Sequence, residues 1–169
     1  MRILALLALL VCATPAFAQT NAHSSPEDRQ RFVFIVQSLE RAPLNPGLQD
    51  DRKWAMQWLT DAPDVSVNAC LDPLGGVSDK DYVHAPEIII QYMFAMGAFI
   101  VENQGKPDDP DAQQLAGVEG ALNAYRSMRT AQPDDKSPTI EKLLGLQSKG
   151  ELPGFLHKAF VRCVAKNAK

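Results

Sequence analysis

Glu119 is the residue whose surroundings come nearest to chemistry. It stands about one helical turn from both Leu115 and Leu122, at the edge of an apolar face. A carboxyl group so placed titrates above its usual range unless a donor or cation pairs with it, and such groups serve as general acids. Arg126 and Tyr92 are the partners the pattern offers. With one of them engaged, Glu119 is a structural carboxylate, and that is the expectation. Cleavage of an envelope sugar would need a second carboxylate beside the first, and the sequence places none there.

Trp54 and Trp58 stand one turn apart and share a helix face. Two indoles so spaced can stack on a sugar or another ring; they can equally cover a core, which is the expected role. A pocket for a small apolar ligand would draw on Trp54, Trp58, Tyr92, Met96 and Glu119, with Met93, Phe94 and Phe99 beside them. Methionine adapts to irregular ligands, and it also fills ordinary core gaps. His23, His84 and His157 are too scattered for metal-ligand spacing and form no HExxH pair. Asp108, Asp109 and Asp111 lack the full calcium loop and its distant glutamate, so they read as turn and capping residues. No nucleophile elbow, phosphate loop or dinucleotide fingerprint occurs. No catalytic residue, metal or cofactor is therefore expected.

The compartment follows from the first 18 residues. Arg2, the apolar stretch Ile3 to Cys12 and Ala16-Phe17-Ala18 form a secretory leader with cleavage expected after Ala18. Val11 before Cys12 argues against lipidation. The processed chain, exported to a periplasm or the medium, would carry a formal charge of −4 after loss of Arg2 from the −3 of the whole sequence. That mild acidity excludes nucleic acid, which needs a stripe of Lys and Arg to displace counterions. It also speaks against docking on an anionic membrane. Of three cysteines, Cys70 and Cys163 remain. In an oxidising compartment an even pair reads as one disulfide. It would close a loop of about 93 residues, for which chain entropy gives roughly 4 to 5 kcal/mol.

These residues require a scaffold, and the pattern is helical throughout. Residues 19–24 read as a flexible terminus and 25–169 as one all-α domain of five or six helices. Its centre is the segment from about 85 to 103, apolar on every side between Ile88 and Val101. Such a helix must be surrounded by others or by lipid. At about 14 residues the apolar run falls short of the ~20 that cross a bilayer, so it is assigned to a core, with no transmembrane span after leader cleavage. Ser25-Pro26-Glu27 and Ser137-Pro138 open helices by cap followed by proline, and Asp109 or Asp111 can cap another. Asp64 to Leu74 is expected as a short helix capped by Asp64. In the helix from about 110 to 131, Gly117, Gly120, Ala121 and Ala124 form a strip of small residues. Glycine costs about 1 kcal/mol in a helix interior, so a neighbouring backbone should approach there, with Gly97 as the matching small residue.

Ala121, Tyr125 and Pro133 resemble the closing helix of a tetratricopeptide repeat over about 15 residues, but no second copy follows at a period of about 34. No family is assigned on that basis. The function expected from these readings is non-catalytic contact with another protein of the cell envelope. A small apolar-ligand carrier and a carboxylate-dependent envelope hydrolase stand as alternatives.

Overall fold

The computed structural model describes residues 24–75, 82–105 and 108–167. The leader assigned to residues 1–18 lies outside them, as does the terminus up to residue 23. Among the described residues six α-helices follow in order: α1 (Pro26–Arg41), α2 (Gln49–Asp61), α3 (Ala85–Glu102), α4 (Pro110–Ala131), α5 (Pro138–Ser148) and α6 (Leu152–Asn167). No strand occurs among the described residues.

The helix starts obey the expected chemistry. Ser25 Oγ accepts from the Asp28 N–H at 3.0 Å, Asp109 Oδ1 from the Ala112 N–H at 3.0 Å, and Ser137 Oγ from the Ile140 N–H at 3.4 Å. Each satisfies a backbone donor that the first turn leaves without an intrahelical acceptor. α5 stops before Gly150, whose φ of +70° lies in the left-handed region that favours glycine.

α3 is the wall shared by two apolar clusters. Phe94 and Ala98 face Phe32, Ile35, Val36 and Leu39 of α1 and Ala55 of α2. Ile88, Tyr92 and Met96 face Val118, Ala121, Leu122 and Tyr125 of α4, with Ile140, Leu143, Leu152 and Leu156 beyond. By length and composition α3 would also suit a bilayer; half of it is buried within the fold.

The expected close approach of helices is present, though with a different partner. A methyl group on Gly120 would sit 2.3 Å from Ala95 Cβ, and one on Gly117 would sit 2.6 Å from Met96 Cγ. Gly97 does not face α4: a methyl there would meet Leu59 of α2 at 2.8 Å and Phe32 of α1 at 3.1 Å. Helical phase explains the difference, since Gly97 lies on the side of α3 that carries Phe94.

The helix expected over Asp64 to Leu74 is absent. Residues 65–71 carry no regular structure, and only Asp72–Leu74 closes a 3-10 turn. Distant side chains supply the hydrogen bonds that a helix would have made. The Cys70 N–H donates to Tyr92 Oη at 2.9 Å, and Gln114 Nε2 donates to Asn68 O at 2.7 Å. The Asp64 carboxylate accepts from the Ser24 N–H at 3.0 Å and pairs with Arg29. The disulfide Cys70–Cys163 is formed, with Cα atoms 6.1 Å apart.

Candidate functional site

The residues singled out in the sequence do not converge. Tyr92 and Met96 are wholly buried in the core beneath Gly117. The Tyr92 hydroxyl accepts from the Cys70 N–H. Its single proton is shared between Cys70 O, at 3.1 Å, and Gln114 Oε1. Burial pushes the phenol up to about 12, against the lowering effect of its bonds to Cys70 and Gln114. It is a fastening for the segment 68–70.

Trp54 and Trp58 are half-buried on α2, stacked with centroids 6.2 Å apart and planes at 16°. Phe32 lies 4.5 Å from the Trp58 ring, and the Arg31 guanidinium sits 3.9 Å over Trp54. Neighbours therefore occupy faces of both indoles that a sugar would need.

Glu119 is half-buried, but with a partner other than those expected. Gln147 Nε2 of α5 donates to its Oε1 at 3.3 Å. Arg126 instead bonds Asn123 and Gln147, and Tyr92 is engaged at Cys70. His157 is exposed and pairs through Nδ1 with Asp111 at 2.8 Å.

What the sequence could not place is the company Glu119 keeps. Where α1 crosses α3 and α4 a cleft of about 270 Å³ opens, and Glu40, Glu102 and Glu119 line it. Its apolar lining joins the small residues Ala95, Ala98, Ala116 and Gly120 to Val33, Val36 and Phe99. Glu40 and Glu119 are half-buried and Glu102 is exposed. Desolvation raises the Glu40 pKa above the ordinary glutamate value, hydrogen bonds from Asn123 and Gln91 and the Arg41 charge offset this in part, and the Glu102 charge adds to the rise. Asn123 Nδ2 donates to Glu40 Oε2 at 3.3 Å, while Gln91 Nε2 donates to Val36 O at 3.2 Å and reaches Glu40 Oε1 at 3.5 Å. Among the described residues no three His, Cys, Asp or Glu side chains are grouped to hold a metal ion.

The cleft opens into a larger groove along α1 of about 810 Å³, and the two share Val33, Gln37 and Glu102. Phe34 stands on its wall with 64% of its surface exposed, next to Val33, Val101 and Arg31. A signal for Phe34 did exist in the sequence. The buried positions of α1 are Phe32, Ile35, Val36 and Leu39, and a residue two places after Phe32 falls on the far side of a 3.6-residue turn. The joined grooves can hold an extended or helical segment, apolar at the Phe34 end and cationic where the three glutamates stand. No known protein family, curated protein or solved structure matches the chain.

Proposed function

We propose that the chain works without catalysis, by contact with a partner protein of the cell envelope, and that the partner lies in the groove along α1. The observation that carries this reading is Phe34, a large aromatic left 64% exposed on the wall of the groove along α1. Buried aromatic anchors with polar surroundings are what dominate binding energy at protein interfaces. Charge selects the occupant. Glu40, Glu102 and Glu119 favour a segment with Lys or Arg at one end and an apolar side chain for Phe34, Val33 and Val101 at the other.

A photoreactive residue at position 34 tests it. One discrete cross-linked adduct is expected from producing cells, with none from the same probe at Lys149, which lies outside the groove. Replacing Glu102 and Glu119 with Lys should abolish the adduct. No adduct at position 34, or equal labelling at both positions, would remove the reading.

Hydrolysis of an envelope sugar is a second reading, favoured by Glu40 alone. Its raised pKa beside Glu102 resembles the divided protonation of paired catalytic carboxyls. Release of reducing ends from purified envelope glycan, lost in Glu40→Gln, would establish it.

A further inference from the structure

The two ends of the disulfide are held very differently. Cys70 is buried and its N–H is tied to Tyr92; Asn68 is tied to Gln114, and Leu74 is sunk in the core. On the other side, α6 is seated by Leu152, Leu156 and Ala159. Beyond Ala159 no described side chain of α6 is fully buried: Phe160 and Cys163 are half-buried, while Val161, Arg162, Val164, Ala165 and Lys166 are exposed. This last stretch is fastened to the segment 70–74 by the disulfide and by Lys166 Nζ on Asp72 Oδ2 at 2.8 Å, an exposed pair. Exposed pairs contribute little.

We propose that Cys70–Cys163 is a redox latch on the tail of α6. Reduction by a dithiol releases residues 160–167 from the segment 70–74 and leaves the rest of the fold packed. Attack falls on Cys163 Sγ, the more accessible sulfur. A thiolate of the reagent bonds to it, the S–S bond breaks, and Cys70 Sγ leaves with the electron pair and takes a proton. The second thiol of the reagent then displaces Cys163. Two electrons and two protons pass to the protein, and the dithiol ends as a disulfide. Release changes the surface in two ways. It uncovers the Cys70 thiol, and it dismantles an apolar groove of about 340 Å³ in which Phe160, Val161 and Val164 of the tail face Pro110. The proposal is independent of the α1 groove.

Amide hydrogen exchange on the intact protein, with and without dithiothreitol, reads the latch. Residues 160–167 should exchange at least about tenfold faster when reduced, while 152–159 and α3 keep their protection. Brief exposure of the native protein to reduced glutathione, quenched with acid, should leave the glutathione mixed disulfide on Cys163 and the free thiol on Cys70. Cys163→Ser should reproduce the exchange pattern without reductant, and should that variant not fold, the dithiol titration of the native chain still decides. Loss of protection throughout α3 and α4 in step with α6 would show that the bond holds the whole fold. No change at 160–167 would show that it holds no tail. Either result overturns the proposal, and an adduct on Cys70 would overturn the order of attack.

Discussion

Glu40 carries the clearest consequence for a single side chain. Its folded pKa lies above its unfolded value because burial penalises the charge. Its protonated form therefore favours folding: the contribution is complete below the ordinary glutamate range and is lost as pH rises through the raised value. Glu40→Gln keeps an acceptor for Asn123 and Gln91 and carries no charge. The variant should gain stability relative to wild type on going from pH 4 to pH 7, measured as the difference in urea midpoints at the two values. Phe34 predicts the opposite profile. Being 64% exposed, it should tolerate alanine with a change within about 0.5 kcal/mol, whereas the fully buried Phe94 should lose about 3 to 5 kcal/mol on the same change. If Phe34→Ala also leaves the cross-linking partner's affinity untouched, the groove is not the interface.

Among the elements, the α3–α4 contact rests on glycines whose missing methyls make room for the neighbour. Gly120→Ala would gain up to about 1 kcal/mol of helix propensity. It would also force a Cβ to within 2.3 Å of Ala95 Cβ, an atom fixed to backbone. Overpacking should prevail, with a net loss of about 1 to 3 kcal/mol in urea unfolding. Gly145→Ala in α5, where nothing lies within 4 Å of the new methyl, should instead be neutral or stabilising. Most of this layout was legible beforehand. Ser25 and Ser137 announced two helices by caps that act within three residues, Asp109 and Asp111 announced a third without deciding between them, and the apolar stretch of α3, interrupted by Gln91, announced a core. The segment 65–71 was not legible. Its hydrogen bonds go to Tyr92 and Gln114, far along the chain, so no local period encodes them. Glu119 could be recognised at the edge of its own helix. Glu40 and Glu102 join it only through the way α1 crosses α3 and α4, which no single helix specifies.

At the scale of the molecule, the disulfide spans 93 residues. Most of its effect should fall on the unfolded chain, so full reduction should lower unfolding free energy by up to about 4 to 5 kcal/mol. Helical circular dichroism in the absence of urea should persist, apart from the fraying of the α6 tail. A reduced protein that is unfolded in buffer would show that the two apolar clusters cannot sustain the fold. Those clusters lie on opposite faces of α3, where Phe94 looks one way and Ile88 the other. A helix serving as a party wall keeps the faults of one room out of the next. Phe94→Leu and Ile88→Val share no cavity, and in the double variant their losses should sum to within about 0.5 kcal/mol.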